Sequence, residues 1–161
     1  MMKNLLITLF LVLLTTNSFS AGSDSTPKKV KSDYDKAVQS IKFAKKYEMK
    51  GKLEKAKKRY EKAQKLLLKS NKEKPLQADT LNYLGFTTRK LGDYENGEKY
   101  YLQGLAIKPD HIGINEYLGE LYVQTNRIDK ANERLEVLKN CNCKEFGELE
   151  LIIKTRGTKV Y

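Results

Sequence analysis

From Ser32 onward the apolar residues recur at three- and four-residue intervals with Lys and Glu between them, the spacing of helices that each bury one face. Ser32-Asp33-Tyr34-Asp35 sets a hydroxyl three residues before a carboxylate, close to a capping box, and predicts a helix start. Phe43, Ala44 and Tyr47 mark the first helix, Gly51 a turn, and Ala56, Tyr60 and Ala63 a second helix. Leu81, Leu84 and Gly85 begin the next helix, followed by the turn Gly92-Asp93-Tyr94 and a helix with Gly97, Tyr101 and Gly104 that Pro109 stops. Asn115, Leu118 and Gly119, the turn Asn126-Arg127-Ile128, and Ala131, Leu135 and Leu138 repeat the sequence of signals, and Phe146, Leu149, Ile152 and Ile153 add one more helical stripe.

The pattern is also periodic at long range. Gly85 and Gly119, each preceded by Leu, lie 34 residues apart, and the surrounding small and large positions move with them. The first set is displaced by 41, so seven additional residues, 71–77, separate it from the second. Small residues at Ala44, Gly85 and Gly119, and again at Ala56, Gly97 and Ala131, allow paired helices to cross closely, and large neighbours fill the space around them. Gly51, Gly92 and Asn126 suit a left-handed residue between the helices of a pair.

On these motifs the chain resembles the tetratricopeptide-repeat (TPR) family over residues 37 to about 145. The departures are Ser40, Thr88, Asn115 and Leu138, at positions where the family pattern has other residues. The resemblance implies an all-α fold: a right-handed superhelical array of three helix pairs, 37–70, 78–111 and 112–145, with a capping helix and tail over 146–161. A stacked array ends in an apolar face that needs such a cover. The resemblance further implies a non-catalytic protein–protein interaction module, a scaffold or adaptor that binds a peptide or protein in its concave groove. Carried onto this chain, the groove positions include Val38, Ile41, Lys42, Lys45, Glu48 and Met49 in the first unit. In the other two they give a candidate partner-binding set of Asn82, Tyr83, Phe86, Arg89, Lys90, Glu116, Tyr117 and Glu120. Aromatic anchors beside charges suit a peptide with an apolar side chain and charged flanks. Packing between helices is the competing role for the tyrosines. Family members that hold chaperone C-termini use a clamp of Lys, Asn, Asn, Lys and Arg; the corresponding places here are Ile41, Lys45, Tyr83, Gly113 and Tyr117, of which one is basic. The cytosolic chaperone-adaptor role is therefore not expected.

The N-terminus changes the expected compartment. Lys3 precedes an apolar stretch, Leu5 to Leu14, interrupted by Thr8, and Ser18-Phe19-Ser20 supplies small residues for cleavage after Ser20. The stretch is too short to span a hydrocarbon core. Residues 1–20 are read as a signal peptide and 21–36 as a basic linker with the start of the first helix, giving a periplasmic or secreted protein.

The net charge of +11 is uneven. Residues 28–74 hold 18 Lys or Arg against 6 Asp or Glu, whereas 75–161 hold 12 against 13. The Lys-rich first unit allows contact with an anionic surface, with an ordinary solvated helix face as the alternative. No nucleic-acid motif accompanies the charge, and nucleic acid is not an expected partner.

Cys141 and Cys143 are the only cysteines. In an oxidising compartment they can form an internal bridge, a bridge between molecules, or a redox or metal site, the last giving the alternative function of a redox or metal-handling accessory protein. No further ligands are placed beside them, so no metal site or cofactor is assigned. His111, following Pro109-Asp110, reads as a helix-start residue, since no nucleophile or paired carboxylate is placed to work with it. Phosphate-binding glycine motifs are absent, and no enzyme activity is expected.

Overall fold

A computed structural model describes residues 30–158 of the chain; the expected signal peptide, residues 21–29 of the linker and residues 159–161 lie outside the described residues. The described residues form seven α-helices and no strand: α1 (Asp33–Glu48), α2 (Leu53–Glu73), α3 (Ala78–Lys90), α4 (Tyr94–Ile107), α5 (Ile112–Gln124), α6 (Ile128–Leu138) and α7 (Lys144–Lys154). None of them is long and apolar enough to cross a membrane.

The local signals act as their chemistry dictates. Ser32 Oγ accepts from the Asp35 N–H at 3.1 Å, and the Asp35 carboxylate accepts from the Ser32 N–H at 3.1 Å, completing the capping box of α1. The turns within the three helix pairs pass through the left-handed region at Gly51 (φ 64°), Gly92 (φ 95°) and Asn126 (φ 57°), where a Cβ is costly and asparagine is the best-tolerated substitute for glycine. After Pro109 the His111 ring caps α5: its Nδ1 accepts from the Ile114 N–H at 3.2 Å, leaving Nε2 to donate to Asp79 at 3.0 Å and tie the starts of α5 and α3 together.

The seven additional residues of the first unit lengthen a helix more than a loop. α2 has 21 residues against 14 for α4, so it runs on for about two further turns at 3.6 residues each. Past Leu67 none of its residues is buried. The connection to α3 then turns through Leu76, which is exposed and left-handed at φ 59°.

The helices pack as three consecutive pairs, α1 with α2, α3 with α4 and α5 with α6, with α2 against α3 and α4 against α5 joining the pairs. The first helices also meet one another, α1 with α3 and α3 with α5. This makes an inner layer of first helices and an outer layer of second helices. Burial follows the layers: nine of the 13 residues of α3 are buried, while α4 buries only Gly97, Tyr101 and Gly104. One core cluster joins the first pair to α3 around Ala44, Tyr60, Leu67 and Leu84, and a second joins Tyr101 to Ile114, Leu118, Leu121 and Ile152.

Close approach explains the repeated glycines. A Cβ on Gly85 would lie 2.5 Å from the Tyr101 ring of its own pair. At Gly119 the nearest atoms belong to Leu149 of α7, at 2.6 Å, and not to Leu135, the counterpart of Tyr101. The capping helix thus fills the space that a large second-helix residue fills in the preceding pair. α7 packs on both α5 and α6 and begins at Lys144, inside the stretch assigned from sequence to the third unit. Ahead of it Cys141 and Cys143 form a disulfide, with Asn142 left-handed between them. Of the three fates open to these cysteines, the structure contains the internal bridge.

Candidate functional site

Because the first helices form the inner layer, side chains pointing off their shared face collect in one cleft of about 390 Å³. Lys45, Glu48 and Met49 come from the end of α1 and Leu53 from the start of α2. Phe86, Arg89 and Lys90 come from α3, Tyr117 and Glu120 from α5, and Ile152 from α7.

The floor is aromatic and cationic. Phe86 is buried between Tyr60, at 5.7 Å between ring centroids and edge-on, and Tyr117, at 4.8 Å. The Lys45 ammonium lies 4.9 Å from the centre of the Phe86 ring and 5.3 Å from that of Tyr117, and donates to the Tyr117 hydroxyl at 3.2 Å. Desolvation against these groups lowers the Lys45 pKa, opposed by the charges of Glu116 and Glu120. Burial raises that of the Tyr117 phenol, and the same two carboxylates push it further up.

Charged pairs frame the floor. Arg89 is buried and donates to Glu120 at 2.6 Å and to Gln124 at 3.1 Å. Burial alone would lower its pKa; the charge and hydrogen bond of Glu120, together with Tyr101, outweigh that and raise it. Lys90 and Glu48 pair at 2.8 Å, and Glu48 also accepts from the Tyr60 hydroxyl at 2.7 Å, so α1, α2 and α3 are connected at the rim. Met49 and Leu53 stand exposed at 86 % and 66 %, two apolar side chains on the turn of the first pair beside the cleft.

Phe86, Arg89, Lys90, Tyr117 and Glu120, of the eight residues expected from sequence, thus meet in this cleft. The other three do not line it. Tyr83 stacks on Tyr34 at 6.0 Å, nearer the start of α1. Asn82 is buried with its side-chain nitrogen against Gly113, 2.9 Å from where a Cβ would stand. Glu116 is buried, and its charge acts on Lys45 and Lys144. Leu53 and Ile152 were not among the expected positions. Leu53 belongs to a second helix, and Ile152 gave only the signal of a cap.

A family model described as the tetratricopeptide repeat matches residues 78–111, the second helix pair. The solved structures extend the likeness to the array. The Yersinia enterocolitica type III secretion translocator chaperone SycD aligns with a TM-score of 0.53 at 16 % identity, covering 74 % of this chain and 81 % of that one. SycD in complex with a peptide of the translocator YopD aligns with a TM-score of 0.53 at 19 % identity, covering 80 % and 93 %. The first TPR of Spaghetti (RPAP3), bound to the HSP90 peptide SRMEEVD, also gives 0.53, at 19 % identity over 78 % and 97 %. No curated protein matches the chain. The second helix pair thus matches the tetratricopeptide repeat, and the described residues share the helical-array fold of tetratricopeptide-repeat structures.

Proposed function

We propose that the protein is a non-catalytic interaction module, exported to the cell envelope, that holds a peptide or protein segment in the cleft of α1, α3 and α5. One observation carries this reading: an aromatic floor, Phe86 and Tyr117, open beside exposed Met49 and Leu53 and framed by Lys45, Lys90, Glu48 and Glu120. Such a surface offers an apolar side chain a desolvated seat and its charged neighbours a polar rim, the arrangement in which a few anchors supply most of the binding free energy. SycD and Spaghetti are each found in complex with a peptide, and those chains share this fold. Export rests on the N-terminal sequence.

Photo-cross-linking in the native envelope tests the reading. A photoreactive side chain at Met49 or Tyr117 is expected to capture one partner, while the same group at Lys99, on the outer layer, captures none of it. Equal capture from both faces would refute the cleft assignment. The export half is tested separately by fractionation and N-terminal sequencing of the mature chain, and a cytoplasmic, uncleaved product overturns it.

A further inference from the structure

The outer face of α2 carries a feature that the cleft does not use. Lys55, Lys58, Lys62, Lys65, Lys69 and Lys72 follow one another at alternating intervals of three and four residues, which places them in a single line along the helix. All six are exposed. At a rise of about 1.5 Å per residue the line is roughly 25 Å long. Lys69 pairs with Asp33 at 2.7 Å, and among the described residues no ion pair engages the other five. Glu54 and Glu61 stand at the edge of the line.

The line is peculiar to α2. At the equivalent places α4 has Asn96, Lys99, Gln103 and Ala106, and α6 with the turn after it has Lys130, Glu133, Val137 and Asn140, so the repeat itself does not demand it. Of the additional turns of α2 only Leu67 is buried, and the rest carry Lys69 and Lys72 and lengthen the line.

We propose that this lysine ridge is a docking surface for an anionic lipid bilayer. The ridge is straight, exposed and on the outer layer, so it can meet a planar partner along its whole length, while a single-stranded polyanion is usually held in a groove with aromatic platforms, which the ridge lacks. Its cations are lysines, compact point charges that suit a diffuse field of headgroups more than bidentate capture of one phosphate. The charge excess of the first unit over the nearly neutral remainder gives the molecule a preferred orientation at a negative surface. Docked this way, α2 faces the bilayer and the inner layer faces away from it.

The test uses the chain from Ala21 onward, since both core clusters lie within the described residues and the apolar N-terminal stretch would bind lipid by itself. Vesicles of phosphatidylcholine with and without phosphatidylglycerol are sedimented with the protein at low and high salt. Expected is binding to the anionic vesicles alone, lost at high salt as the Debye length shrinks. The variant Lys58→Glu/Lys62→Glu/Lys65→Glu should lose about 100-fold or more in affinity, at roughly fivefold per lysine. Lys99→Glu/Lys139→Glu/Lys154→Glu, with the same change in net charge, should lose little, and Lys58→Arg/Lys62→Arg/Lys65→Arg should retain binding. Circular dichroism verifies that each variant is helical. Equal loss in both glutamate variants, or no binding by the unaltered protein at low salt, overturns the proposal. So does polyphosphate that displaces the protein from vesicles at equal or lower anion concentration, because the ridge would then be a polymer site.

Discussion

Leu149 occupies the space that a Cβ on Gly119 would require, 2.6 Å away, so the third helix pair is completed by a residue from outside it. Gly119→Ala forces either Leu149 or the α5–α7 spacing to move, and should destabilise by about 1–3 kcal/mol through overpacking. Leu149→Ala should cost about 2–5 kcal/mol, as expected for a fully buried leucine. The two changes share one site, so the double variant is expected to cost less than their sum. Urea denaturation of the four proteins checks all three expectations, and strict additivity would mean that Leu149 is not what confines Gly119.

The Arg89–Glu120 pair gives a second prediction. Arg89 is buried, and removing only its counter-charge leaves an uncompensated guanidinium in the inner layer. Glu120→Ala should therefore destabilise by about 3–5 kcal/mol, while Arg89→Met/Glu120→Leu, which removes both charges at similar volume, should cost much less. Denaturant midpoints decide, and equal costs would show that the pair is well solvated.

These two sites show what was legible in the sequence. The spacing of Gly85 and Gly119, the turn residues Gly51, Gly92 and Asn126, and the capping box at Ser32 are local signals with local causes, and they gave the fold and its repeat. That Leu149 rather than Leu135 seats on Gly119 has no local signal, because the two residues belong to different elements and meet only after stacking. The groove was legible as a set of first-helix positions, but its depth was not. Close packing of the inner layer buries Asn82 and Glu116 and draws Tyr83 onto Tyr34, while Leu53 and Ile152 enter the cleft from helices with other duties. The seven residues between the first two units were visible as a displacement, and their conversion into a longer α2 depended on a helical segment with no breaker before Pro75.

A third prediction concerns alkaline pH. Burial raises the phenol pKa of Tyr34, Tyr60, Tyr101 and Tyr117 above the usual tyrosine value, and that of Tyr122 to about 12, with Glu98 adding to the shift. Such groups hold their protons more firmly folded than unfolded. Their contribution to stability is thus complete below the ordinary tyrosine pKa, near 10, and is lost as pH rises through the folded values. The tyrosinate absorbance of these five, out of ten tyrosines in the chain, should therefore appear late and cooperatively, together with loss of helical signal. Full development of the ten-tyrosine absorbance near pH 10 to about 11 in a protein that stays helical would contradict the burial of these phenols.

The disulfide supplies the fourth. Cys141 and Cys143 enclose a very short loop, and the chain-entropy contribution of such a loop is at most about 2 kcal/mol. Reduction, or Cys141→Ser/Cys143→Ser, should lower the denaturation midpoint modestly and leave α7 seated on α5 and α6. Exposure of the Leu149 pocket on reduction, read from binding of a hydrophobic dye, would show instead that the bridge holds the cap in place.

Stacked helix pairs are a one-dimensional architecture: each added pair presents the face on which another can grow. α7 ends that growth by lying across α5 and α6, with Leu149 buried on Gly119 and Ile152 buried beside the cleft. A chain without it would carry an adhesive terminus, and a head-to-tail contact made through such a terminus does not close on itself but runs on into a filament. The short seventh helix takes the place on α5 and α6 where a further pair would otherwise stack.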